Sequence, residues 1–147
     1  MTDQSQINFY SWSLKNKTKA DSETLQLPNI NFHCIRYSDK CLYLWVGDSE
    51  AKMESLSCAI KTQYEKDPTA IDIMLINEDQ NNNSQNLSKE LSIRISKKLN
   101  KQVFVSFNVS NSLLEQTYYQ TDEPQDNLRS IIEKGIFSEI KNRPENF

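Results

Sequence analysis

Glycine occurs only twice in these 147 residues, histidine once and cysteine three times, and each shortage closes off a kind of chemistry. Phosphate cradles are built from flexible glycine-rich turns, yet Gly47 and Gly135 stand far apart, so no nucleotide loop is present. Cys34, Cys41 and Cys58 lack the paired CxxC arrangement that gives zinc sites their specificity, and His33 is the sole imidazole. His33 and Cys34 are neighbours on a strand-like run, where adjacent side chains diverge to opposite faces, so they do not form a nucleophile–base couple. Unpaired cysteines usually behave as small hydrophobes, and packing is the role expected of all three.

Long apolar runs are missing too. The densest, "AIDIMLI", is short and contains Asp72, whereas a membrane-crossing helix needs roughly 20 apolar residues. An odd cysteine count and an N-terminus with no basic flank and apolar stretch point to a reduced compartment, cytosol or nucleus. Basic excess is lacking as well: a net charge of −3 and a pI of about 5.2 argue against a nucleic-acid protein. Glu78, Asp79 and Glu115 sit in polar surroundings with nothing to raise a carboxyl pKa. No catalytic, cofactor-binding or metal-binding residue is assigned, and the chain is read as not an enzyme. The Asn-x-Ser/Thr triplets at Asn16, Asn82, Asn86 and Asn108 carry little meaning without a secretion signal.

What is present is strand pattern. "KQVFVSFNV" alternates with a period of two, placing Val103, Val105, Phe107 and Val109 on one side and Gln102, Phe104, Ser106 and Asn108 on the other. Phe104 is then an aromatic on the polar side. "INFYSWSL" puts Tyr10, Trp12 and Leu14 on one side of a first strand. "INFHCIRY" and "CLYLWVG" are spaced by Ser38, Asp39 and Lys40 as a hairpin, with Gly47 ending the second. "KMESLSCAIKTQY" fits either period and is read as a strand, and "AIDIMLI" as the next.

Helices are expected at two places. Leu87, Leu91, Ile95 and Leu99 recur at i+4, with Asn86 or Ser84 available as N-cap, and Ile93 lies opposite that stripe. Asp122 and Pro124 are expected to open a last helix with Leu128, Ile131, Ile132 and Ile136 as its apolar stripe, ended by Pro144. The reading is α+β: about six mainly antiparallel strands, as a sheet or small sandwich, with two helices packed on it. Residues 1–147 are expected to form a single domain with loops at about 15–29, 77–86 and 110–122.

Aromatics exceed what one face of a small core needs: Trp12, Tyr43, Trp45, Phe104, Tyr118 and Tyr119. Such residues fill cores and also mark protein interfaces. Phe104 stands out, because its strand neighbours already occupy the buried side. The expectation is a strand covered twice, once by its own chain and once by another. Arg94, Lys97, Lys98 and Lys101 form a basic cluster with two readings: a footprint for an acidic partner, or cations stabilising a helix C-terminus. The partner-interface candidates are Trp45, Phe104, Tyr43, Arg94 and Lys98.

"NFHCIRYSDKCLYLWVG", "SKKLNKQVFVSFNV" and the closing "PENF" together resemble the proteasome assembly chaperone 4 family, over roughly residues 30–147. Departures are a longer N-terminal region, the asparagine-rich stretch after Ile76, and residues 110–127. The resemblance implies a non-enzymatic chaperone that pairs as a heterodimer with a proteasome assembly chaperone 3-like protein. It also implies engagement of proteasome alpha-type subunits, notably alpha type 5, during α-ring formation, with no cofactor and no catalytic residue to carry over. A small cytosolic adaptor or trafficking module on a similar sheet-plus-helix fold is the alternative.

Overall fold

The computed structural model describes residues 6–14, 28–48, 52–75, 83–114, 117–118 and 126–147. Six strands form one sheet: β1 (Asn8–Ser13), β2 (Asn31–Ser38), β3 (Cys41–Gly47), β4 (Ser55–Ile60), β5 (Thr69–Leu75) and β6 (Gln102–Asn108). Their order is β1-β2-β3-β6-β4-β5, antiparallel throughout except for the parallel β3–β6 pair in the middle. The connection that returns to lie beside β3 carries helix α1 (Asn83–Leu99), as a parallel crossover requires. Two helices, α1 and α3 (Leu128–Asn142), cover a single face of the sheet, giving two layers rather than a sandwich.

Alternation decides which side chains the helices cover. Phe32 and Cys34 of β2, Leu42, Leu44 and Val46 of β3, and Val103, Val105 and Phe107 of β6 are all at most 1% exposed. They form one core with Leu87, Leu91 and Ile95 of α1 and Leu128, Ile132, Ile136 and Ile140 of α3. On α1 the serines Ser88, Ser92 and Ser96 are also buried, spaced to lie on one stripe. Their small size lets α1 approach β4, where Ser55, Ser57 and Ala59 are likewise buried. The Ser57 hydroxyl donates to Asp72 at 2.9 Å and so accepts from Ser88 at 2.8 Å; Ser96 donates to the Lys101 carbonyl at 2.6 Å. Polar groups at that contact are therefore satisfied locally, as burial demands. Helix α1 ends on Asn100, whose φ of 55° is left-handed and whose N–H closes on the Ser96 carbonyl at 2.8 Å.

Several expectations need correction. Helix α1 begins at Asn83, so 83–86 is a helical turn rather than loop, and Asn86 and Ser84 lie inside the helix instead of capping it. The added residues, Asn83, Ser84, Gln85 and Asn86, are all polar, which is why apolar spacing could not reveal the turn. Helix α3 starts at Leu128, after Asp122 and Pro124, because Asn127 caps it: its side chain accepts from the Ser130 N–H at 2.8 Å. Ile131 is only half-buried, and Ile140 takes its place in the stripe. The expected loop at 110–122 contains a short helix α2 (Asn111–Leu114) and strand β7 (Thr117–Tyr118), which pairs with β8 (Asp126–Asn127). The loop expected at 15–29, the residues Glu78, Asp79, Glu115 and Tyr119, and Pro124 fall wholly or mainly outside the described residues.

The chain closes through a 3-10 turn, Pro144–Asn146. Phe147 is buried edge-on against Tyr10 and Trp12 at 6.1 and 5.6 Å, while Trp12 stacks on Phe32 at 4.8 Å. Lys101 Nζ donates to the Phe147 carbonyl at 2.6 Å, and burial together with Arg36 lowers the Lys101 ammonium below its ordinary range. Edge strand β1 is thus fastened from beneath, also by Tyr10, which donates to Glu139 of α3 at 2.8 Å. No described helix is long and apolar enough to cross a membrane.

Candidate functional site

The second face of the sheet carries no described helix. Its side chains fall in rows, because residues in register on neighbouring strands point the same way. Phe9 pairs with Ile35, Ile35 with Tyr43, Tyr43 with Phe104, Phe104 with Cys58, and Cys58 with Ile71. One residue from each of the six strands therefore makes an unbroken apolar row from edge to edge, with Phe104 and Tyr43 at its centre. Its ends are the most open: Phe9 is 72% and Ile71 62% exposed. Tyr37, Ile60 and Ile73 are exposed around it, and none of these residues belongs to the core cluster.

A solvated sheet face normally reads polar, with charged side chains common. Here no described strand residue that alternates onto this face is Asp, Glu, Lys or Arg, although a quarter of the chain is charged. Edge strands that must avoid pairing usually carry such charges. Both the apolar row and the missing charge are features of a contact core.

One end of the face is polar and partly satisfied internally. The row beside the apolar one is Ser11, His33, Trp45 and Ser106. Trp45 Nε1 donates to the Lys52 carbonyl at 2.9 Å, and the Glu54 N–H donates to Asn108 Oδ1 at 2.7 Å. Residues 52–54 therefore fasten that end. Burial raises the Tyr43 hydroxyl above its ordinary range, and its hydrogen bond with Ser106 works the other way.

The five interface candidates divide into two groups. Tyr43, Trp45 and Phe104 share the open face. Arg94 and Lys98 lie on α1, on the far side of the sheet, and Arg94 is engaged with Glu133 of α3 while Arg129 reaches back to Glu90. Lys97 pairs with Asp67 at 2.8 Å and holds that carboxyl below its usual range. Most of the basic cluster is thus occupied within the molecule. Trp12 belongs to the covered side, and nothing is assigned to the side chain of Tyr118. Phe9, His33, Ile35, Cys58 and Ile71 were not singled out as interface residues, although alternation in "INFHCIRY" already puts His33 and Ile35 together; what was missing was the register that joins six strands.

Cys34 faces the core, and burial pushes its thiol up to about 12. Among the described residues no group of three or more His, Cys, Asp and Glu side chains could hold a metal ion.

A six-stranded, mostly antiparallel sheet with helices on one side and a charge-free apolar row on the other places the chain among the two-layer α+β proteins. Within that class the chain belongs to the proteasome assembly chaperone 4 family, whose model matches residues 29–109. It is 30% identical over 118 residues to human proteasome assembly chaperone 4, covering 80% of each chain, and equally so to the mouse protein. Its fold is similar to a chain from the crystal structure of a novel chaperone complex for yeast 20S proteasome assembly, with a TM-score of 0.50, 11% identity, and 95% and 93% of the two chains covered.

Proposed function

We propose that this chain is a non-enzymatic chaperone of proteasome core particle assembly that works as a heterodimer with a proteasome assembly chaperone 3-like partner, joined through the open sheet face. The pair promotes α-ring formation by engaging alpha-type subunits, notably alpha type 5, in the cytoplasm and nucleus. Family membership supports the chaperone role, and the observation that carries the interface is the charge-free row through Phe104 and Tyr43.

Size agrees with this reading. Six strands of about seven residues make a plane of roughly 24 by 23 Å, on the order of 550 Å² before side-chain relief is counted, against about 800 Å² per partner in a standard interface. Burying that face is favourable because it carries apolar area and no charge to desolvate.

The test is a comparison of tagged wild type with Phe104→Asp, expressed in cells of the source species. Wild type should recover the chaperone partner and alpha-type subunits; the variant should recover neither while melting like wild type. Recovery of coat or tether proteins instead, by wild type, would support the adaptor alternative and overturn this one.

A further inference from the structure

The apolar row alone does not tell a facing sheet which way round to sit, because apolar residues occupy both of its ends, Phe9 and Ile71. The row beside it does, since its polar groups are confined to one part of the sheet. Successive rows on one face lie roughly 6.6 Å apart, so a partner that covers the first also reaches the second.

His33 and Ser11 are the exposed members of that second row, and the His33 ring is held from two sides. Ser11 Oγ lies 2.8 Å from its Nδ1. Across the strand pair the Trp45 ring is 5.3 Å away, tilted by 45°. Trp45 is itself fixed: Nε1 is tied to the Lys52 carbonyl, and the indole folds over Gly47, where a Cβ would come within 2.2 Å of Cη2. The imidazole is therefore oriented, and Nε2 has no partner among the described residues.

An outward Nε2–H is present in the protonated ring and in the neutral tautomer whose Nδ1 accepts from Ser11. The Ser11 hydroxyl can rotate to donate to a bare Nδ1 or to accept from a protonated one. An outward acceptor would exist in only one tautomer of the neutral ring.

We propose that His33 is the orientation point of the interface, and that the partner's facing sheet places a hydrogen-bond acceptor against its Nε2. This rests on the reading of the open face as the partner-binding surface. An arrangement that brings no acceptor to Nε2 leaves a buried donor unpaired, and the loss of that bond rejects it.

The two amide residues separate the roles of the two ring nitrogens. His33→Asn can keep the bond to Ser11 but lacks the outward reach, whereas His33→Gln extends its amide to about where Nε2 stands. Each variant, and Phe104→Ala as a control on the face itself, is titrated calorimetrically with the purified chaperone 3-like protein of the same species. The expected result is a loss of about tenfold or more for Asn, one charge-free buried hydrogen bond's worth of discrimination, with Gln within about threefold of wild type. If Phe104→Ala weakens binding but Asn binds like wild type, or Asn and Gln lose equally, or Gln alone loses, His33 is not read through Nε2 and the proposal fails. If Phe104→Ala also binds like wild type, it is the reading of the open face that fails.

Discussion

Phe104 lies in register with Tyr43 across the parallel β3–β6 pair, and both face away from the helices. That relationship answers what an aromatic is doing on the polar side of a strand whose other side is Val103, Val105 and Phe107. The strand has two apolar faces because the sheet has two uses: one holds the helices, and the other is proposed to hold a partner chain. Central position matters, since residues that dominate interface energetics cluster near the middle of the patch.

Helix α3 docks through Ile132, which is 1% exposed, and not through Ile131, which is half-buried. Ile132→Ala should cost about 2–5 kcal/mol in urea unfolding, as for a buried aliphatic truncated to Ala. Ile131→Ala should cost clearly less. Equal losses would show that the helix is seated on a different stripe.

Gly47 makes room for the Trp45 indole. Gly47→Ala should push the ring off its seat and break its bond to the Lys52 carbonyl, because the added Cβ has 2.2 Å where normal contact needs more than 3 Å. A changed tryptophan emission spectrum and weaker partner binding are expected, the latter because a pre-organised aromatic is lost. An unchanged spectrum with normal binding would contradict the seating.

Cysteine reactivity should follow burial. Cys34, with its thiol pushed up to about 12, is almost wholly protonated at pH 8, so a thiol reagent should label half-buried Cys41 first and Cys34 last in the folded protein. The sign of the linkage follows. A folded pKa above the usual 9.0 gives stability that is complete below pH 9 and is lost as pH climbs from 9 toward 12. Denaturant midpoints across that range should fall, and less so in Cys34→Ala; rapid labelling of Cys34 at pH 8 would refute the burial argument.

Much of this architecture was legible. Period-two alternation in "QVFVSFN" and "FHCIRY" located the strands, and the spacing of Leu87, Leu91, Ile95 and Leu99 located α1, because those patterns are set by burial on one side. Helix ends were less readable: Asn127 outcompetes Asp122 and Pro124 as the start of α3 through a hydrogen bond that spacing does not encode. The site was half legible. Tyr43, Trp45 and Phe104 could be flagged one by one, but the row linking them to Phe9, Ile35, Cys58 and Ile71 depends on the β3–β6 crossover pairing. Arg94 and Lys98 were grouped with them by charge alone, and the fold places them on the opposite side.

Asn100 offers a check on the helix end. Its φ of 55° is a conformation glycine adopts without penalty, so Asn100→Gly should be neutral or slightly stabilising, while a β-branched residue there should cost about 1 kcal/mol or more. Thermal melts of Asn100→Gly and Asn100→Val decide it, and equal melting temperatures would argue against a left-handed residue at this position.

The most direct measurement sets the melting temperature of isolated Phe104→Ala beside its titration with the chaperone 3-like partner. With Phe104 outside the core, the variant should melt within about 3 °C of wild type, a difference of no more than roughly 1 kcal/mol. Its affinity for the partner should fall by about 30-fold or more, as for the truncation of a central aromatic anchor. A variant that melts normally and binds normally would contradict the central claim that this face is where the partner sits.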